Sequence, residues 1–196
     1  MTVMQKLTLA DIKDTRAYER ERAHFRSRII AMKKRRRIHL GDLLTITFEN
    51  TDTMRFQIQE MARAERMATD AQIEHEIETY NQLIPDPGVL SGTLFIEIDD
   101  KPKLYEWLPK LVGIQRAVSF RVGDAGEAPA DPLDEERLTR EEATSTVHYL
   151  KFPLSPEQVQ AFAHGPVHLI VDHPNYQADI ELTDEQREEL AGDLAG

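Results

Sequence analysis

The stretch GDLLTITFE, residues 41–49, marks the point at which the sequence changes from a helical to an alternating pattern. Apolar and polar side chains alternate through it, with Leu44, Ile46 and Phe48 set against Thr45, Thr47 and Glu49. Alternation with a period of two is typical of a strand that buries one face and exposes the other. Residues 44–49 are therefore predicted to form a half-buried strand.

The segment before this strand predicts a long basic helix over residues 14–34. The aliphatic stem of Arg22 completes an apolar stripe that is otherwise formed by Tyr18, Phe25, Ile29 and Met32. Such a stripe faces either the protein's own sheet or a second copy of the chain. The sequence leaves both alternatives open, so a homodimer is one expectation.

The remainder of the chain alternates predicted helices with predicted strands. Helices are predicted at residues 53–67, after the capping box of Thr69 and Gln72, near residues 103–111, after Ser155, and after Thr183. Further strands are predicted at residues 92–99, 116–122, 144–152 and 165–174. Because several turns are too short for parallel crossovers, we predict one α+β domain over residues 1–196. It has a mainly antiparallel sheet of about five strands with helices packed on it.

Residues 123–142, GDAGEAPADPLDEERLTREE, combine glycine, proline and alanine with many acidic residues. This composition is unfavourable for a packed core and typical of disorder. It predicts an acidic mobile loop with one helical turn.

Charge is distributed unevenly along the chain. Residues 13–37 hold eleven Lys and Arg against three acids, a net charge of +8, in a chain whose total is −11. Because residues 1–12 are neutral overall, residues 38–196 carry −19. Such an asymmetry favours either an electrostatic partner or pairing between two parts of the same chain.

The basic segment 1–37 ends in the run KKRRR, formed by Lys33, Lys34, Arg35, Arg36 and Arg37. One interpretation is a patch that contacts nucleic-acid phosphates and releases counterions on binding. The other is a helix end whose charges are solvated or paired with the acidic body, since no aromatic residues for base stacking accompany the run. An acidic protein surface is an equally suitable partner.

Several chemistries are missing from the sequence. The chain has no cysteine, which excludes disulfides, thiolate catalysis, iron–sulfur ligation and thiolate zinc sites. No Walker A loop, dinucleotide-binding glycine motif or G-x-S-x-G nucleophile motif occurs, and no cofactor or catalytic residue is predicted. Without an apolar run of membrane-spanning length or a signal peptide, we expect a soluble, cytoplasmic protein without membrane contact.

Histidines in the C-terminal third supply a candidate metal-ligand set. Imidazole and carboxylate groups are common metal ligands, and the candidates are His148, His168, Asp172 and His173. On one strand His168 and Asp172 share a face, and His148 from a neighbouring strand is expected to approach them. Ordinary surface or hydrogen-bonded histidines are the alternative interpretation.

A polar segment with both charge signs follows the first strand. It is a candidate binding surface made of Glu49, Asn50, Arg55, Gln57, Gln59, Glu60 and Arg63. The alternative is a solvated helix face, because polar helix faces are commonly exposed.

The runs KKRRRIHLGDLLTITFENTDTMRFQIQEMARAER and ETYNQLIPDPGVLSGTLFIEI, residues 33–66 and 78–98, resemble a bacterial family known as domain of unknown function 3501. The resemblance covers essentially the whole chain and is most specific at FEN, RFQIQEM and YNQLIP. It implies no catalytic residue, since the family defines none. Members similar to this chain are often encoded beside rubrerythrin-like and iron–sulfur redox proteins, which implies a redox partner protein.

Three functions remain open from the sequence. The leading hypothesis is a non-catalytic accessory or protein-docking component whose basic helix meets an acidic partner, such as a redox protein, or its own acidic body. The alternatives are a nucleic-acid-binding module that uses the basic helix end and a histidine-based metal-binding protein or enzyme.

Overall fold

The computed structural model describes residues 4–138 and 142–195. Within these residues the chain forms seven α-helices and nine strands. The helices are α1 (Thr15–Arg36), α2 (Thr51–Ala64), α3 (Asp70–Asn81), α4 (Lys101–Lys110), α5 (Glu135–Leu138), α6 (Pro156–His164) and α7 (Asp184–Leu194). The strands are β1 (Arg37–Leu40), β2 (Leu44–Phe48), β3 (Val89–Ile96), β4 (Val118–Val122), β5 (Glu127–Pro129), β6 (Asp131–Leu133), β7 (Val147–Pro153), β8 (Val167–His173) and β9 (Tyr176–Glu181).

The strands divide between two antiparallel sheets. The first sheet has five strands in the order β1-β2-β3-β7-β6, and the second has four in the order β5-β4-β8-β9. In the first sheet Ile46 of β2 lies opposite Leu94 of β3. The predicted class, α+β with antiparallel strands and packed helices, is confirmed. The strands are shared between two sheets instead of forming one.

The main core lies between the inner faces of the two sheets. Phe48 of β2 and Phe152 of β7 meet Phe120 of β4, with ring centroids 5.6 and 4.9 Å from that of Phe120. Phe162 of α6 closes the cluster, 5.6 Å from Phe120. All of these rings are buried, and aromatic side chains of this size dominate core energetics.

A second apolar cluster covers the opposite face of the first sheet. Met54 of α2 and Ile77 of α3 are buried in it, and Tyr149 of β7 packs against it from the sheet. Because α1 packs on this second face of the sheet, both faces of β2 are covered and all of its residues are buried, Thr45 and Thr47 included. The prediction of a half-exposed strand is therefore wrong.

The helix termini follow from local capping. Thr69, Ser155 and Thr183 begin α3, α6 and α7 through the predicted capping boxes. Each side-chain oxygen accepts a hydrogen bond from a backbone amide of the first turn, which satisfies a donor that has no partner inside the helix. Among residues 4–138 and 142–195, no helix combines the length and apolar character needed to cross a membrane.

The acidic segment 123–142 differs from the prediction of a loop. Its strand β5 pairs with β4 in the second sheet, and β6 pairs with β7 in the first, so the chain passes from one sheet to the other at Ala130. The helical turn expected in this segment is present as α5. The predicted loop also included residues 139–141, which lie outside the described residues.

Candidate functional site

The basic run at the end of α1 is largely used inside the fold. Arg36 is 1% exposed, and its Nε donates to the Phe48 carbonyl at 2.8 Å. Its Nη1 donates to Asp193 Oδ1 at 3.1 Å and to Glu189 Oε1 at 3.3 Å. Burial opposes the charge of Arg36, but the two carboxylates outweigh it and raise the pKa of the guanidinium. Burial also raises the pKa of Asp193.

The neighbours of Arg36 in the run are divided between pairing and exposure. Arg35 Nε donates to Glu189 Oε2 at 3.2 Å, and Arg37 pairs with Glu97. Lys33 Nζ lies 6.0 Å from the centroid of the Phe56 ring, whereas Lys34 is exposed. The acidic helix α7 thus meets the basic helix end, which is the intramolecular pairing that the charge asymmetry allows.

The apolar stripe of α1 packs on the protein's own α2. Phe25 and Phe56 meet edge to face with centroids 5.7 Å apart, and Ile29 is fully buried. At the N-terminal end, Arg22 donates from Nε and Nη2 to the Glu60 carboxylate at 2.8 and 2.9 Å. This fork lowers the pKa of Glu60, so charge pairing and apolar packing hold α1 in one orientation.

The polar residues after the first strand do not form one open surface. Asn50 caps α2 by accepting from the Thr53 amide, and Glu49 is 5% exposed with its Oε1 accepting from Thr93 Oγ1 at 2.8 Å. Arg55, Glu60 and Arg63 form ion pairs with Asp52, Arg22 and Glu19, respectively. Gln59 binds the backbone of the N-terminal segment, and Gln57 is half-buried. The helix face is polar because it binds α1 and the N-terminal segment.

The N-terminal segment 4–14, here called the strap, is held by side chains that pair with its backbone. Gln59 accepts from the Lys13 amide at 2.7 Å and donates to the Lys13 carbonyl at 3.1 Å. Asn81 forms the same pair with Leu7 at 2.8 and 2.9 Å. These clamps imitate strand pairing and satisfy backbone groups that would otherwise lack partners. Sequence reasoning missed them.

The candidate metal ligands do not converge. His148 lies on β7 of the first sheet and His168 on β8 of the second, so the expected approach of the two is wrong. Along β8, His168 and Asp172 share the outer face while His173 is on the buried face. In the part of the chain that the structure describes, no group of three or more His, Asp or Glu side chains could hold a metal ion.

Each of these histidines has a local hydrogen-bond role. His148 Nε2 lies 2.7 Å from Thr144 Oγ1 and 3.1 Å from the Ser145 carbonyl. Because a carbonyl can only accept, Nε2 carries the proton, and burial lowers the pKa of this imidazole. His168 Nδ1 lies 2.6 Å from Asp179 Oδ1, and His173 Nε2 lies 2.8 Å from the Val112 carbonyl.

A cleft of about 560 Å³ opens between α1, α2 and the strap. Its cationic and imidazole side chains are Lys13, Arg20, His24, Arg28 and Arg55, and its acids are Asp11 and Glu21. The Cζ atoms of Arg28 and Arg55 lie 5.1 and 5.4 Å from the centroid of the Phe25 ring. Sequence reasoning missed this cleft, although the i, i+4, i+8 spacing of Arg20, His24 and Arg28 was visible as a signal.

The side of α1 that faces away from α2 is exposed to solvent, and Arg20 lies where this side meets the cleft. We call one exposed stripe of this helix the outer face of α1; it consists of Arg16, Arg20, Ala23, Ser27, Ile30 and Lys34. Arg26, which is also exposed, lies at its border. Ile30 is 43% exposed. Among the described residues, Arg16, Arg20, Arg26 and Lys34 form no ion pair. The ion pairs of α1 are formed by its other cationic side chains. The positive charge that remains available on α1 therefore lies along this face.

Two packed antiparallel sheets with a long, internally paired basic helix define an α+β protein with a positively charged helical surface. The chain belongs to the family of proteins of unknown function DUF3501, which it matches over residues 6–194. It is similar to a protein of known structure from Burkholderia pseudomallei K96243, a novel protein of unknown function, with 33% identity and a TM-score of 0.90. The similarity covers 97% of this chain and 100% of that one. No curated protein matches the sequence.

Proposed function

We propose that this protein is a non-catalytic accessory protein that docks onto an acidic partner protein through the outer face of α1. The observation that carries the proposal is the contrast between the two sides of the helix. The inner side uses Arg22, Arg35 and Arg36 in ion pairs with its own fold. The outer face keeps exposed cations that have no ion pair among the described residues.

The composition of the outer face supports protein docking. A helix of 22 residues is about 33 Å long, with Arg16 and Arg20 near one end and Lys34 near the other. Ile30, Ala23 and Ser27 lie between them without a long polar side chain. Protein interfaces commonly combine an apolar centre with a polar rim, and arginine is enriched in their energetic anchors.

Charge complementarity favours an acidic partner over a second copy of this chain. A twofold contact between two outer faces places the same stripe against itself. Arg16, Arg20, Arg26 and Lys34 then face other cations, which opposes association. A surface rich in Asp and Glu meets the same stripe with opposite charge, and long-range attraction speeds the encounter.

The resemblance to the family supplies a class of partner to test. A rubrerythrin-like or iron–sulfur protein would carry the redox centre, and this chain, which has no cysteine, would act as its accessory. The pairing of Arg35, Arg36 and Arg37 with carboxylates reduces the charge that the basic run offers to phosphate. Nucleic-acid binding is therefore an outcome of the test and not a second proposal.

The test is biolayer interferometry with a purified rubrerythrin-type protein encoded beside a family member, and with a labelled DNA duplex, across a salt series. The outer-face variant combines Arg16→Gln, Arg26→Gln and Lys34→Gln. Its matched control combines Lys101→Gln, Lys103→Gln and Lys151→Gln, which removes the same charge elsewhere.

Binding to the protein probe that weakens with salt, survives in the control and is lost in the outer-face variant is the expected result. DNA binding with the same dependence would replace the proposal with the nucleic-acid alternative. Equal loss in both variants would show that net charge alone is responsible.

A further inference from the structure

We propose that the cleft between α1, α2 and the strap binds a small polyanion, a molecule that carries two or more carboxylate or phosphate groups. This ligand site shares only Arg20 with the outer face of α1, and its other lining residues lie off that face. The lining combines Lys13, Arg20, Arg28 and Arg55 with the acids Asp11 and Glu21, a formal charge of +2 with neutral histidine. The volume of about 560 Å³ lies within the range of small-molecule sites.

The row along α1 is the first feature that points to an anion. Arg20, His24 and Arg28 follow one another at i, i+4 and i+8, about 6 Å apart along the helix axis. Arg20 and Arg28 are the two permanent cations of this row and lie about 12 Å apart along the helix axis. Among the described residues Arg20 and His24 form no ion pair, and Arg28 Nη2 approaches Asp52 Oδ2 no closer than 3.8 Å. The row therefore offers positive charge and hydrogen-bond donors that a bound anion can engage.

The aromatic wall of the cleft is the second feature. Phe25 lies beneath both Arg28 and Arg55 and is itself held edge to face by Tyr18 and Phe56, with centroids 6.4 and 5.7 Å away. Stacking on a fixed ring orients the guanidinium planes before a ligand arrives. An oriented guanidinium presents the two parallel donors that match a carboxylate or a phosphate.

The carboxylates around the cleft are already engaged, which leaves cationic donors for a ligand. Glu21 pairs with Lys13, and Asp11 accepts from the Thr8 amide and hydroxyl at 2.8 and 2.9 Å, which lowers the pKa of Asp11. Asp52 accepts from Arg55 Nη2 at 2.5 Å and fixes that guanidinium from the side. The other donors of Arg55 remain free of any hydrogen bond within the described residues.

The experiment is isothermal titration calorimetry with two probes, citrate and pyrophosphate, at constant ionic strength. Arg28→Gln and Arg55→Gln are each expected to weaken the bound probe about tenfold, because each removes a charged two-donor contact. Arg28→Lys retains the charge without the planar fork, so an intermediate loss is expected. Thermal unfolding of every variant confirms that it is folded.

Controls separate this site from the docking surface. Arg26→Gln removes one cation from the far side of the same helix, and the outer-face variant removes three; both are expected to bind the probes as the original protein does. Citrate binding alone assigns a carboxylate ligand, and pyrophosphate binding alone assigns a phosphate ligand. Absence of binding for both probes at millimolar concentration, or equal weakening by Arg26→Gln and Arg28→Gln, overturns the inference. Neither result depends on whether a partner protein docks.

Discussion

Arg36 and Asp193, separated by 157 positions in the sequence, form an ion pair whose side chains are 1% and 6% exposed. The pair joins the end of the basic helix α1 to the acidic helix α7. It explains why the most basic run of the chain is not a free patch. It also shows how the two oppositely charged parts of the sequence meet within one fold.

Breaking this pair from one side is expected to destabilise the protein strongly. Arg36→Met leaves Asp193 buried without a counter-charge, and the expected loss of unfolding free energy is about 3–5 kcal/mol. Replacing both side chains, Arg36→Met with Asp193→Leu, is expected to recover most of that loss, because no unpaired charge remains. Urea unfolding measures both variants. A double variant that is as unstable as the single one would contradict this explanation.

The strap is expected to detach when its clamp is removed. Gln59→Ala leaves the Lys13 amide and carbonyl without partners, at an expected cost of about 1–3 kcal/mol. Trypsin cleavage within residues 4–14 should become faster than in the original protein. Gln57→Ala, at a half-buried position of the same helix, is the matched control and is expected to keep the original cleavage rate. Equal cleavage of both variants would show that Gln59 does not hold the strap.

The buried His148 is expected to make stability fall in mild acid. Its pKa is lowered in the folded state by burial, so the unfolded chain takes up the proton first, near an ordinary pKa of about 6.5. The contribution of His148 to the free energy of unfolding is therefore complete above about pH 6.5. It decreases as the pH falls toward the lowered pKa of the folded state. Unfolding free energy measured against pH should therefore decrease below about pH 6.5. His148→Gln should flatten that part of the curve, and an unchanged slope would exclude this residue as the cause.

Glu60 adds a second acid-sensitive contribution at lower pH. The hydrogen bonds from Arg22 lower its pKa in the folded state, so its stabilising effect is present above the ordinary pKa of about 4.3 and is lost as the pH falls through the lowered value. Glu60→Gln removes the ion pair, and its stability should depend less on pH in that range. If the stability of Glu60→Gln falls with decreasing pH as steeply as that of the original protein, Glu60 is not the source of this contribution.

The helices could be predicted because their signals are local. The capping boxes at Thr69, Ser155 and Thr183 begin helices in the structure, and the long spacing pattern of α1 identified its buried stripe. β1, β5, β6 and β9 are missing from the prediction, and β5 and β6 lie in the segment that was predicted to be a loop. β1 has only four residues directly after α1, too few for its alternation to be separated from the end of the helix. In β9, Tyr176, Ala178 and Ile180 do alternate with polar residues, so this signal was present in the sequence and was missed.

The site could not be predicted to the same extent because it depends on long-range packing. Whether Glu49 and Gln59 are exposed or buried is decided by α1, the strap and the neighbouring strands, and not by the composition of their own segment. In the same way, His148 and His168 lie on adjacent predicted strands that join different sheets. Strand order is a property of the whole fold.

Photo-crosslinking from the centre of the outer face tests the docking proposal most directly. A benzophenone amino acid replaces Ser27 in one variant and Tyr105, which is 71% exposed on α4, in the control. With the rubrerythrin-type protein as the probe, we predict a crosslinked complex from position 27 that high salt weakens, and none from position 105. Crosslinking from position 105 alone, or none from position 27 at low salt, would contradict the assignment of the outer face of α1 as the docking surface.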